Sequence, residues 1–212
     1  MAAPLKIAVF ASGRGSNFKA ILDAIRAGKI RNASVVALIT NNADAGALAT
    51  AKEHDIPALC VSRKQFGSDD EFRQALLGIL NQYGADFIVL AGYMKKIEAE
   101  IIRRFKNRIV NIHPALLPAF GGQGMYGMRV HEAVIASGSA LSGATVHIVD
   151  EEYDRGPIVL QQSVPVSPDD TPETLAAKVI KVEHELYPRA IGLFAEGKVV
   201  IHEQRVMIEQ EA

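Results

Sequence analysis

The stretch Ile7-Ala8-Val9-Phe10-Ala11-Ser12-Gly13-Arg14-Gly15-Ser16-Asn17 joins three local signals. Ile7 to Ala11 is a near-continuous apolar run, the pattern of a strand buried on both faces of a parallel sheet. Ser12 to Ser16 carries small, turn-forming residues that stop the strand. From Asn17 to Ala27 the pattern becomes helical. The unit is therefore strand, glycine turn, helix, and the alternation of strand and helix continues along the chain. Further strands are expected at Val35 to Thr40, Ala58 to Val61, Phe87 to Ala91 and Ile109 to Ile112. The helices between them are expected at Ala45 to His54, Asp70 to Tyr83 and Glu98 to Phe105. This alternation predicts an α/β fold, a doubly wound and mostly parallel sheet with helices on both faces.

After Pro114 the rhythm changes. Pro118, Gly121, Gly122, Gly124 and Gly127 make Leu117 to Met128 too irregular for a regular element, and a long mobile loop is expected there. A short helix follows from about Val130 to Ser137. Strands come next near Ala144 to Val149 and Ile158 to Val164, then a long amphipathic helix from Pro172 to about Phe194 and a last strand at Val199 to His202. Neither repeats nor a linker appear, so residues 1–212 are read as a single domain.

Composition narrows the possible functions. A length of 212 residues is ample for one core, and a hydrophobic share of 49% with 22% charged excludes a disordered chain. Lys and Arg number 23 against 24 Asp and Glu, with no basic cluster, which argues against a nucleic-acid partner. The N-terminal apolar run ends at Ala11, so it reads as a strand rather than a signal peptide, and no run is long enough to span a membrane. Cys60, the sole cysteine, cannot pair within the chain. It is expected at a buried strand position, in a protein of the reducing cytoplasm.

Three segments carry chemical potential. Ser12 to Asn17 places glycines between a strand and a helix N-terminus, where free amides and the macrodipole attract an anion. It lacks the Lys of a P-loop, and Phe18 fills the third glycine slot of the dinucleotide fingerprint. A plain tight turn, capped by Ser16 or Asn17, fits the same residues. In Val110-Asn111-Ile112-His113-Pro114 the strand period puts Asn111 and His113 on one face, and Pro114 ends the strand. Both polar groups then stand at the carboxyl end of a strand, where open α/β sheets bind ligands. A lone His there would ordinarily be a hydrogen-bonded strand end; two polar side chains on one face favour a site. The acidic turn Asp150 to Pro157 reads as a solvated loop from which one carboxylate can orient His113 and favour its charged form. His131 and His184 lack the second His of an H-E-x-x-H helix, so no metal is expected. His54 and His202 read as surface residues; His147 fits either a place lining the site or a satisfied strand histidine, the second reading slightly ahead.

Several of these segments resemble the glycinamide ribonucleotide formyltransferase family. The matching pieces are Ser12-Gly13-Arg14-Gly15-Ser16-Asn17, Leu90-Ala91-Gly92-Tyr93-Met94, Asn111-Ile112-His113-Pro114-Ala115-Leu116-Leu117-Pro118, Asp154-Arg155-Gly156-Pro157-Ile158 and Glu183-His184-Glu185-Leu186-Tyr187-Pro188. They run in order over almost the whole chain. The resemblance implies formyl transfer from 10-formyltetrahydrofolate, as co-substrate, to the glycinamide amine of a ribonucleotide in purine biosynthesis. Residue by residue it implies Asn111, His113 and Asp154 as the catalytic trio. It implies Gly15, Ser16, Asn17 and Glu183 at the ribonucleotide, and Met94, Lys95, Lys96, Ile97, Asn111 and Asp150 at the folate. The implied partners are small-molecule substrates, with neither nucleic acid nor membrane, and the chain is expected as a monomer or homodimer.

Two departures stand out. Where the family often has Pro-Gly soon after Leu-Leu-Pro, this chain has Phe120-Gly121-Gly122-Gln123-Gly124-Met125-Tyr126-Gly127. A basic folate contact of some relatives aligns with Asp69, leaving Arg63, Lys64 or Arg73 as substitutes. A formyltetrahydrofolate hydrolase shares the trio but normally carries an extra N-terminal domain, which strand one leaves no room for. A transfer-RNA formyltransferase needs a further C-terminal domain and a basic surface. A nucleotide-binding module without catalysis leaves Asn111 and Asp154 unexplained.

Overall fold

A computed structural model of the chain describes residues 3–209. The strands form one seven-stranded sheet in the order β3-β2-β1-β4-β5-β6-β7, with a separate hairpin of β8 and β9. The chain divides into two compact units, Met1–Val110 and Asn111–Ala212, with the boundary inside β5.

The first unit holds β1 (Leu5–Phe10), α1 (Ser16–Arg26), β2 (Ala33–Thr40), α2 (Ala47–Glu53), β3 (Ala58–Cys60), α3 (Asp69–Gln82), β4 (Phe87–Leu90) and α4 (Ala99–Arg104). β1 pairs in parallel with β2 on one side and β4 on the other, and β2 pairs in parallel with β3. The winding thus reverses at β1, the topological switch point of an open sheet. Ile7, Phe10, Leu38, Ile39, Phe87 and Ile88 are fully buried, which is why these strands read as unbroken apolar runs. Each such side chain contributes about 1.5–3 kcal/mol on burial. α3 starts where Ser68 accepts a hydrogen bond from the Glu71 amide, and Asp69, Asp70 and Glu71 meet the positive end of its dipole. Cys60 is half-buried rather than buried, because β3 is an edge strand with a neighbour on one side only.

The second unit holds the end of β5 (Ile109–His113), α5 (Met128–Ala136), β6 (Leu141–Ile148), β7 (Ile158–Pro165), α6 (Pro172–Ala195), β8 (Val199–His202) and β9 (Arg205–Ile208). β6 and β7 are antiparallel, and α6 packs on both and on α5. Thr171 caps α6 through the Thr174 amide, with Pro172 at the first helical position, where its missing N–H costs nothing. The hairpin strand β9 was not visible in the periodicity, since Arg205, Met207 and Ile208 are all exposed and leave no buried face to mark it.

Candidate active site

In the first unit the turn after β1 brings Gly15 to the start of α1 in a left-handed conformation, φ 79°. A Cβ there would lie 2.8 Å from both Cα and Cβ of Ala47, so only glycine fits. Neither Ser16 nor Asn17 caps the helix. Gly15 is the N-cap, and having no side chain it makes no side-chain cap bond. A helix N-terminus that starts at a glycine leaves an anion free to approach the backbone N–H groups closely.

The segment after β4 carries Met94, Lys95 and Lys96 on the surface, Met94 being 49% exposed, while Ile97 is only 4% exposed. The Ile97 side chain belongs to the core, so what this residue can offer a ligand is its backbone. Tyr93 packs edge-on against Phe10, and burial, followed by the charge of Glu98, pushes its hydroxyl up to about 12. Of the basic substitutes weighed for the folate contact, Arg63 pairs with Asp69, and Arg73 pairs with Asp70 and Glu100. Both guanidinium groups are thus engaged with carboxylates of their own surroundings.

In the second unit the strand end and the acidic turn meet. His113 is 3% exposed, and its Nδ1 lies 3.6 Å from Asp154 Oδ2. Its Nε2 lies 2.8 Å from the Phe120 carbonyl oxygen. A carbonyl only accepts, so Nε2 carries the proton and donates. Asp154 also accepts from the Gly122 amide at 2.9 Å. Its backbone is left-handed, φ 57°. Burial pushes the Asp154 carboxyl up, but a hydrogen bond from His147, the charge of His113 and the Gly122 amide outweigh this and hold it below the ordinary value. For His113 the balance goes the other way. Burial depresses its pKa more than Asp154 and the Phe120 carbonyl raise it. The resting ring is therefore neutral, where the sequence suggested a charged one.

His147, which the sequence left between a site-lining residue and a satisfied strand histidine, belongs to this cluster. Its Nδ1 donates to its neighbour's carbonyl, Ile148 O, at 2.9 Å. Its Nε2 lies 3.1 Å from Asn111 Nδ2 and 3.5 Å from Asp154 Oδ1. A neutral ring accepts from Asn111 at this nitrogen; a charged ring donates toward Asp154. The signal was present in the strand period, because the antiparallel β6 turns His147 and Thr145 to the same face. Buried His131 on α5 is also near enough for the charge of His113, added to burial, to lower its pKa. Asp150 spends one carboxylate oxygen on the Glu152 amide at 2.9 Å, which shapes the acidic turn. Glu183 is buried on α6. Among the described residues no group of three His, Cys, Asp or Glu side chains is arranged to hold a metal ion.

A sequence profile described as "Formyl transferase" matches residues 5–191. The chain belongs to the formyl transferase family. A chloroplastic phosphoribosylglycinamide formyltransferase of Arabidopsis thaliana is 46% identical over 97% of this chain and 70% of its own length. The Haemophilus influenzae phosphoribosylglycinamide formyltransferase is 39% identical over 98% of this chain and 95% of its own. Among solved structures, glycinamide ribonucleotide transformylase 1 from Symbiobacterium toebii superimposes with a TM-score of 0.92 at 40% identity, covering 99% of this chain and 96% of that one. A formyltetrahydrofolate deformylase from Pseudomonas syringae, at 24% identity and a TM-score of 0.88, is a likeness of fold alone. This formyltransferase is accordingly a folate-dependent enzyme of the phosphoribosylglycinamide branch. No helix among its described residues is long and apolar enough to cross a membrane.

Proposed function

We propose that the chain transfers the formyl group of 10-formyltetrahydrofolate to the glycinamide amine of 5-phosphoribosylglycinamide. The observation that carries this reading is the cluster of buried His113 and His147 with half-buried Asn111 and Asp154 around the end of β5, in a chain of this family. The amine attacks the formyl carbon, a C–N bond forms, and the carbonyl oxygen becomes an oxyanion. Asn111 Nδ2 has a second N–H beyond the one facing His147, and that N–H is one oxyanion donor. The other is the His113 Nε2–H, once the formyl oxygen takes the place of the Phe120 carbonyl. Collapse breaks the bond to the folate nitrogen N10. The proton lost by the amine must reach that nitrogen. Ionised Asp154 takes that proton through water and passes it to N10 the same way, while His113 keeps its Nε2–H on the oxyanion.

In the same reading, Gly15, Ser16 and Asn17 hold the ribonucleotide phosphate and Glu183 serves its ribose. Met94 to Ile97, Asn111 and Asp150 serve the folate, and the whole chain works as one catalytic domain. The support is the helix N-terminus at the left-handed Gly15 and the exposed strip after β4.

The test is formyl balance. Wild-type enzyme given only 10-formyltetrahydrofolate should release formate slowly, and 5-phosphoribosylglycinamide should divert the formyl group to its amine. Formate release as fast without the ribonucleotide as transfer with it would establish a hydrolase instead. Asn111→Ala and His113→Ala should each lower turnover by about a hundredfold to a thousandfold, the usual effect of losing one oxyanion donor. Turnover within threefold of wild type in both would remove the cluster from the chemistry.

A further inference from the structure

We infer that Ser12 is a positioning residue that couples the two ligand-holding segments of the first unit, so that filling the Gly15–Asn17 turn and filling the Met94–Ile97 segment favour one another. The inference rests on the roles proposed above for those segments.

Ser12 follows β1 directly, at the strand where the winding reverses between β2 and β4. Each of its polar groups reaches the end of one of those neighbours. Its N–H donates to Gly92 O, beyond β4, at 3.1 Å. Its carbonyl accepts from Asn42 Nδ2, beyond β2, at 3.2 Å. Its hydroxyl donates to Asn41 Oδ1 at 2.5 Å and accepts from the Met94 amide at 2.9 Å. A serine hydroxyl has one hydrogen, so donating to Asn41 fixes the direction of the lone pairs that meet Met94. A hydroxyl used only to end a strand needs one partner; this one joins two loops.

The turn on the other side of Ser12 is held as firmly. Gly15 lies against Ala47, and the Ala47 amide donates to Gly13 O at 3.2 Å. An anion on the first amides of α1 therefore restrains a turn that has little room to shift, and Ser12 is its first residue. Across the hydroxyl, Met94 to Lys96 are exposed. That strip is held at one end by the Ser12 hydroxyl and at the other by the buried Ile97 side chain. Fixing Ser12 narrows the orientations of the Met94 amide, and a ligand that needs that strip ordered then meets a smaller entropic cost. Coupling of this kind is reciprocal.

The test measures binding of tetrahydrofolate, which carries no formyl group to transfer, by titration calorimetry with and without saturating 5-phosphoribosylglycinamide. In wild type the ribonucleotide should tighten tetrahydrofolate binding by about fivefold or more. Ser12→Ala should bring that ratio to within about twofold of unity while the affinity for each ligand alone changes far less. Ser12→Thr, which keeps the hydroxyl, should restore the coupling, a rescue that a generally loosened fold would not show. Asn41→Ala removes only the hydroxyl's acceptor and should give an intermediate ratio. A wild-type ratio of one, or a wild-type ratio preserved in Ser12→Ala, overturns the inference and leaves the proposed function standing. Should Ser12→Ala fail to fold, Asn41→Ala decides: an unchanged ratio overturns the inference and a reduced one supports it. A wild-type chain that binds no ribonucleotide overturns the proposed function itself.

Discussion

Two glycine-rich turns follow central strands in this molecule, and they are glycine-rich for opposite reasons. In the turn after β1, Gly15 is hemmed in by Ala47, and the nearby Gly46 approaches the Arg14 carbonyl, where a Cβ would sit at 3.2 Å. In the turn after β5, Gly122, Gly124 and Gly127 have nothing within 4 Å of where a Cβ would stand, and their φ values are 98°, 88° and 55°. At Gly15 the first turn needs glycine because there is no room. At Gly122, Gly124 and Gly127 the second needs it because the backbone is left-handed in open space, whereas Gly121 beside them is crowded by Leu117 and Asp154. The tethers differ as well. Asn41, Asn42 and Ser12 hold the first turn with amides and a hydroxyl. His113 and Asp154 hold the second, at Phe120 O and the Gly122 amide, and both are groups that titrate.

The largest expected effect breaks the crowded turn. Gly15→Val combines a left-handed β-branched residue with a clash against Ala47, so a stability loss of about 2–5 kcal/mol is expected from strain and overpacking together. The variant should also raise the Michaelis constant for the ribonucleotide while folate binding alone holds. A fall in folate binding instead would place the two substrates on the wrong segments. Gly124→Ala is the matched change in the open turn. With space available, only the left-handed strain remains, so denaturant unfolding should show a loss of about 1 kcal/mol. Equal losses in the two variants would erase the distinction between the turns.

Acid sharpens the comparison further. His113, His131 and His184 all have depressed pKa values, His113 by burial that outweighs the opposing pull of Asp154, His131 by burial and then the charge of His113, His184 by burial. The unfolded chain therefore takes up protons first as pH falls below about 6.5, and stability drops through that window until the folded histidines titrate. Asp154, also depressed, contributes stability that persists above the ordinary carboxylate range and is lost only below it. Melting temperature should thus decline on acidification from pH 8 to 5, and His184→Gln should flatten the decline. The smallest effect is local. Hydrogen exchange at residues 121–127 should slow when a folate analogue binds, while the Gly13–Ser16 turn responds to the ribonucleotide. Equal protection of 121–127 in both states would count against its closing over the folate.

Fully buried strands were legible in sequence because burial on both faces leaves an unbroken apolar signature, as in β1 and β4. The Asn111 and His113 pair was legible because two polar residues at alternate positions interrupt such a signature. Cap chemistry was less so. Ser16 and Asn17 have the right residue types for an N-cap, yet the left-handed Gly15 takes that place, a matter of backbone angle that residue identity does not encode. His147 reads like any strand histidine until β6 is paired, and the protonation of His113 depends on how deeply it is buried. Charge state is a property of the packed site, and no local pattern carries it.

The position of β1 between β2 and β4, inside the sheet, has a consequence for how the chain is made. Its β4-side partners lie far downstream: the Lys6 amide bonds to Asp86, 80 residues away, and Ser12 meets Met94 after 82. At a synthesis rate of about 5–20 residues per second, β1 leaves the ribosome roughly 4–16 seconds before the strand that completes it. During that interval β1, with its buried run from Ile7 to Phe10, keeps one hydrogen-bonding edge open, and nascent chains are most exposed there to pairing with one another.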